Sequence, residues 1–453
     1  FYLQGLLAEK GPDRARAAEA ARGFYEQAIE AATSTYARVG FQIAREQALL
    51  RIRVPTPAEL ELSRQQMETW RGRDLGYGAA ETVAVGLNAQ GNRTQALAVL
   101  NEQLLGLPAQ ERAREDRFRL LIGMIAGAGD GVGRNALLQL LRSGRDIEPQ
   151  RIALQLLAEK STTEPLRGQF RAELSRLIAA PVPHPIYEDL LLFRANFSLA
   201  EKNFIAAEED ARALLDKFPG SALKPLALAV LTSSAWEQRR YRTVVESAMR
   251  AVEAQSKDSS SGRQARAELN VLVAEAWFRA GDFRSSADAY AEVLRSPPAG
   301  AKLGDLMFQR VQAEIQAQIQ AGSPEAAQPV LDALAGNPAF DPESRWQAEW
   351  NLARALIARG APDADAMAFA RVNRLLEAPS GNAGLNPALR ARMKWLQARL
   401  ALDTGDPKRA IELVSKELMP MGPGLTTALR DEIRSKAMLL TAGASFALND
   451  EKG

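Results

Sequence analysis

Apolar residues recur at three- and four-residue spacing along almost the whole chain, most plainly over 186–215 and 266–294. That period predicts amphipathic helices. No run alternates β-branched with polar residues, so essentially no strand is expected. Helix content above about 65% is expected, well beyond the roughly one third of an ordinary globular domain. Turn residues interrupt the pattern at a nearly constant interval. They are Gly11-Pro12, Val54-Pro55, Gly91-Asn92, Gly129-Asp130, Thr163-Glu164, Asn203, Arg240, Gly281-Asp282, Gly322-Ser323, Gly360-Ala361, Gly405-Asp406 and Asn449-Asp450. Eleven intervals separate Gly11 from Asn449, roughly 40 residues each, which is the range of helical-hairpin repeats.

Each interruption has a local cause. Glycine after a helix takes the left-handed conformation that residues with a Cβ resist. An Asp, Ser or Asn beyond it accepts hydrogen bonds from the free N–H groups that open the next helix. Thr56-Pro57-Ala58-Glu59 predicts a capping box with Pro at the first helical position, and Ser161-Thr162-Thr163-Glu164 has the same spacing. Each period therefore predicts helix, tight turn, helix. The expected fold is all-α: an α-α superhelix, or solenoid, of about eleven helical hairpins of roughly 40 residues.

Four periods carry small residues at matched places. Ala274 and Ser286 flank Gly281-Asp282, with Trp277, Tyr290 and Pro298 around them. Ala84, Ala96 and Pro108 belong to the period at Gly91, and Ala195, Ala207 and Pro219 to the one at Asn203. Ala398 and Ala410 flank Gly405, in a period that ends at Gly422 rather than Pro. Small side chains let the two helices of a hairpin cross closely, so these alanines are expected to be buried. Together the four periods resemble the tetratricopeptide repeat, a helical hairpin of about 34 residues. The periods at Arg240, Gly322 and Gly360 match more loosely. The resemblance covers 186–450 best and 75–110 less closely. It departs at Ser286 and in its longer period.

Pro181-Val182-Pro183-His184-Pro185 cannot be helical, because each Pro lacks a donor and restrains its predecessor. It predicts a proline-rich linker at 181–185, between N-terminal repeats over 1–180 and a C-terminal repeat array over 186–453. The stretch 256–262 predicts a polar inter-repeat loop. The stretch 434–448 predicts another first helix, with Asn449-Asp450 as its turn. No second helix follows, and the chain opens at Phe1 without a Met or a charged leader. The sequence is therefore expected to be a fragment of a longer chain.

Composition narrows the chemistry. Hydrophobic residues are 46% and charged residues 25%, as in soluble folded chains. No stretch reaches the roughly 18 consecutive apolar residues of a transmembrane segment. The net charge is +2, from 57 Lys+Arg against 55 Asp+Glu. That balance gathers no nucleic acid, and no basic stripe with stacking aromatics is seen. Cysteine is absent, which excludes disulfides, thiolate nucleophiles and Cys-ligated metals. The single histidine, His184, excludes sites built on several, and is expected to be an exposed linker residue. The glycine-rich stretch 127–133 follows a helical segment and lacks the lysine of a phosphate loop, so it predicts a hairpin turn. Glu208-Glu209-Asp210 predicts a solvated acidic face. Arg239-Arg240 with Arg242 forms a basic cluster at a turn. No catalytic, cofactor-binding or metal-binding residue is expected, and the protein is not expected to be an enzyme.

In tetratricopeptide arrays certain first-helix positions line the concave face. By turn position the resemblance implies Trp236, Trp350 and Trp395 there, with Arg279, Arg354 and Arg399 beside them. Trp and Arg are the residues that most often anchor partners. The opposing expectation is that such large aromatics pack between repeats. The Lys and Asn set with which the family clamps C-terminal carboxylates is not found. The partners implied are protein or peptide segments, with a homo-oligomer left open. Phe218-Pro219-Gly220-Ser221-Ala222 resembles the segment between repeats in bacterial envelope tetratricopeptide proteins, such as the barrel-assembly lipoprotein and the Tol–Pal coordinator. That implies a non-catalytic scaffold or adaptor in cell-envelope assembly or organisation, soluble and periplasmic or otherwise extracytoplasmic. The alternative is the helical superhelix of a larger envelope enzyme such as a lytic transglycosylase.

Overall fold

A computed structural model describes residues 1–361, 363–377, 386–420 and 424–448. Helices take 77% of the described residues, and no strand occurs among them. The chain forms two compact units, Phe1–Leu223 and Lys224–Gly453.

The first unit holds α1 (Tyr2–Ala8), α2 (Arg14–Glu30), α3 (Thr35–Leu49), α4 (Pro57–Thr69), α5 (Asp74–Ala89), α6 (Arg93–Leu105), α7 (Arg112–Ala126), α8 (Gly131–Ser143), α9 (Ile147–Glu159), α10 (Leu166–Ile178), α11 (Tyr187–Ala200) and α12 (Phe204–Lys217). The second holds α13 (Lys224–Glu237), α14 (Tyr241–Ala254), α15 (Ser260–Arg279), α16 (Phe283–Arg295), α17 (Leu303–Gln320), a short 3-10 turn Pro324–Ala327, α18 (Gln328–Ala335), α19 (Pro342–Arg359), α20 (Ala364–Glu377), α21 (Pro387–Asp403), α22 (Pro407–Leu413) and α23 (Thr427–Ala447). Among the described residues these are 23 α-helices in a repeated helical-hairpin arrangement. Each helix packs against helices one or two steps along the chain. Among the described residues, no helix is long and apolar enough to cross a membrane.

Every expected turn from Gly11 to Gly405 falls between two helices. Gly422 and Asn449-Asp450 lie outside the described residues. Gly91, Gly281, Gly322, Gly360 and Gly405 have φ between 65° and 85°, and Lys202 and Arg239 take the same place at 60° and 57°. Thr56 and Glu59 form the capping box at the start of α4. The resembling stretch 161–164 does not. Ser161 is buried and donates to the Leu157 carbonyl, while Glu164 accepts from the Gly168 N–H. The polar loop is also shorter than expected, because Ser259 caps α15 and Ser260 to Gly262 form its first turn. The last helix begins at Thr427, seven residues before its expected start.

The core is made where paired helices cross. Ala84, Ala96, Ala195, Ala207, Ala274, Ala398 and Ala410 are fully buried, as expected. Two members of the acidic run are buried rather than solvated. Asp210 accepts two hydrogen bonds from Arg194 at 2.6 and 2.7 Å, and Glu208 pairs with Arg212 at 2.6 Å. The segment 181–185 lies inside the first unit, and Ile186 just after it joins a core with Leu140, Leu154, Phe170 and Leu190. His184 is half-buried, not exposed. Its Nε2 lies 2.6 Å from the Leu141 carbonyl oxygen, and its Nδ1 accepts from the Ile186 N–H at 3.3 Å. Burial pushes its pKa down, against the pull of the Leu141 carbonyl. The neutral ring with its proton on Nε2 satisfies both contacts.

Candidate functional site

In the second unit α19, α21 and α23 lie side by side as consecutive first helices. Each turns one stripe towards a common hollow of about 470 Å³. The stripe is Trp350, Arg354, Ile357 and Ala358 on α19, then Arg392, Trp395, Leu396 and Arg399 on α21, then Leu429, Glu432, Ile433 and Lys436 on α23. Spacings of three, four and seven put the members of each stripe on one helix face. The floor is aliphatic and the rim is mostly cationic.

Both indoles serve two roles. Trp350 and Trp395 pack on one side against the core that includes Leu352, Leu356, Met393 and Leu396, and wall the hollow on the other. The Arg399 guanidinium and the Lys436 ammonium stand 5.8 and 5.4 Å from the Trp395 ring centroid. Such pairs contribute about 0.5–1 kcal/mol each at exposed sites. The Trp395 Nε1 is buried and has no hydrogen-bond partner among the described residues. Arg399 reaches Asp403 at 3.1 Å. Lys436 binds Glu432 at 2.5 Å and holds that carboxyl below its usual range. Arg354 is exposed and makes no ion pair among the described residues.

A second hollow of about 340 Å³ adjoins the first across α17 and α19, and shares Arg354 and Ala358 with it. Gln312, Gln316 and Asn351 line it. Gln347 donates to Asn351 at 3.1 Å, and Asn351 donates to Gln312 at 2.7 Å. The Gln312 Nε2 is buried without a partner.

One register underlies both hollows. Gln312, Trp350 and Trp395 each stand ten residues before the left-handed glycine of their turn, and Gln316, Arg354 and Arg399 six before it. Four of the six residues expected on the concave face thus come together. Trp236 and Arg279 do not join them. They occupy the places of Ile357 and Ala358, but on α13 and α15. Trp236 meets Tyr241 edge-on at 5.6 Å and packs with Val244 and Val273. Arg279 pairs with Glu275 at 2.7 Å, which holds its guanidinium firmly protonated.

The same register recurs in the first unit. Glu81 and Val85 stand ten and six residues before Gly91, in a hollow of about 200 Å³ across α3, α5 and α7. Burial pushes the Glu81 carboxyl up, against the pull of Arg117 at 2.7 Å and of Arg114. Sequence reasoning passed over Glu81, Gln312 and Gln316, although counting back from each turn glycine finds them. It also missed Arg392, thirteen residues before Gly405, and Glu432 and Lys436 on α23, for which no turn glycine sets the count.

No family model matches the chain, and no curated protein matches it. Many solved structures are similar at low identity, three of them as follows. The P58(IPK) TPR domain is 12% identical, with 91% of this chain and 99% of that chain covered and a TM-score of 0.24. A chain of the Naa15/Naa10 complex bound to HypK-THB is 13% identical, with 99% and 67% covered and a TM-score of 0.32. A chain of the APC/C hetero-tetramer Cut9-Hcn1 is 14% identical, with 99% and 93% covered and a TM-score of 0.26. Superpositions at these scores add no weight to the fold, which rests on the paired helices, the buried alanines and the repeated turn register.

Proposed function

We propose that the chain is a non-catalytic scaffold that holds a protein segment in the groove of α19, α21 and α23. The observation that carries this reading is the aligned stripe on α19, α21 and α23, three successive first helices. It sets two half-buried indoles and an aliphatic floor beneath four cationic side chains. Indole and guanidinium groups dominate the binding energy of protein interfaces. A repeat array buries one side of each helix and leaves the other side free as a long, stiff trough. A photo-crosslinking residue in place of Arg354, in the full chain in its native cells, tests the reading. Adducts with one or a few proteins are expected. They should fall away when Trp350 and Trp395 are replaced by Ala while circular dichroism stays unchanged. Adducts indifferent to that replacement would sink the proposal.

The compartment that goes with this reading is extracytoplasmic, in the organisation of a bacterial envelope. The support is the segment Phe218-Pro219-Gly220-Ser221-Ala222. It forms the tight turn after α12, with the Ser221 N–H on the Phe218 carbonyl and the Leu223 N–H on the Ser221 hydroxyl at 3.0 Å. Its resemblance is to the inter-repeat segment of envelope proteins. Fractionation of native cells checks it: recovery with a cytosolic marker would remove this assignment and leave the groove untouched.

A further inference from the structure

We infer that the groove takes an acidic protein segment, with an apolar side chain set between Trp350 and Trp395. This rests on the groove reading and names the chemistry of its occupant. Charge is the first argument. Arg354, Arg392, Arg399 and Lys436 line one hollow whose single carboxylate, Glu432, is already bound by Lys436. Asp403 engages Arg399 from outside that lining. A basic segment would crowd like charges over a low-dielectric floor, whereas carboxylates complete the set.

The length of the segment follows from the trough. Two hollows joined at Arg354 and Ala358 make one continuous bed. At the usual 8–10 Å between packed helices, a trough across α17, α19, α21 and α23 runs about 25–30 Å. That length holds about eight extended residues.

Fluorescence polarisation on the full chain tests the inference. The probe is a labelled peptide of about ten residues, in which Asp and Glu flank one Phe. The comparison peptides replace the acids by Lys or replace Phe by Ser. The acidic peptide is expected to bind. Arg392→Glu or Arg399→Glu should weaken it about tenfold or more, Arg399→Lys should retain most of it, and raising salt should weaken it progressively. Circular dichroism on each variant excludes misfolding. Equal binding of the Lys peptide, or an oligonucleotide that competes regardless of Trp395→Ala, would each overturn the assignment. Two failures stay distinct. If crosslinked partners persist at position 354 but no acidic peptide displaces them, the acidic occupant is wrong and the groove reading stands. If no protein crosslinks there, the groove reading itself fails.

Discussion

Ser286 stands where the other matched repeats place Ala, and it is fully buried. Its hydroxyl donates to the Ala274 carbonyl 2.9 Å away. A buried hydroxyl is tolerated only when bonded, so the departure from the pattern keeps the rule behind it: at a helix crossing the side chain must be small and satisfied. Ala207 shows the strict form of that rule, with no exposed surface at all. Ala207→Leu is expected to cost about 1–3 kcal/mol through overpacking. An unchanged thermal midpoint would mean that the crossing has room to spare. The turn residue has its own requirement. Arg239 holds φ at 57° where other repeats use glycine. A side chain there carries a left-handed cost of about 1–2 kcal/mol, part of which glycine returns through its freer unfolded chain. Arg239→Gly is therefore expected to stabilise by up to about 1 kcal/mol, read as a rise in the urea midpoint.

Between elements, long side chains tie one repeat to the next. Glu173 on α10 accepts from Arg142 on α8 at 2.8 and 2.9 Å and also pairs with Arg176. Burial alone would raise its pKa, but the two guanidinium groups outweigh it and hold the carboxyl at about 2, below its ordinary 4.5. The folded value is the lower one, so the stabilisation is complete above about pH 4.5 and is lost as pH falls towards 2. Urea midpoints of the wild type and of Glu173→Gln should differ most at neutral pH and converge across that window. A constant gap would assign the effect to packing. Ties of this kind were not legible in the sequence. Glu208 and Asp210 read as a solvated run, because only the neighbouring Arg194 on α11 and the pairing with Arg212 reveal their burial. The helices themselves were legible, since Gly and capping residues mark each turn. At the groove, Trp350, Arg354, Trp395 and Arg399 could be read because each is counted from a turn glycine. Arg392, thirteen residues before the same Gly405, could have been read too, but the residues of α23 could not. Their place depends on how α21 and α23 pack.

At the scale of the whole molecule, the packing of each unit is sequential. Helices meet their neighbours one or two steps along the chain, so damage at one repeat should spread only through adjoining interfaces. Leu140 on α8 is fully buried in a core shared with Leu154 on α9, Phe170 and Leu174 on α10, and Leu190 on α11. Leu140→Ala removes three carbons from that core and should cost about 2–5 kcal/mol. In a single cooperative globule that loss would lower the protection of every slowly exchanging amide. In a one-dimensional array it should fall on the elements that share the cavity. Hydrogen exchange followed by mass spectrometry is expected to show faster exchange across α8, α9, α10 and α11, and unchanged protection in α19, α21 and α23. Uniform loss along the chain would refute the sequential account. Retained protection around Trp350 and Trp395 would mean that the groove keeps its stiffness when a distant repeat is weakened. A binding site built on stripes of adjacent helices requires that stiffness.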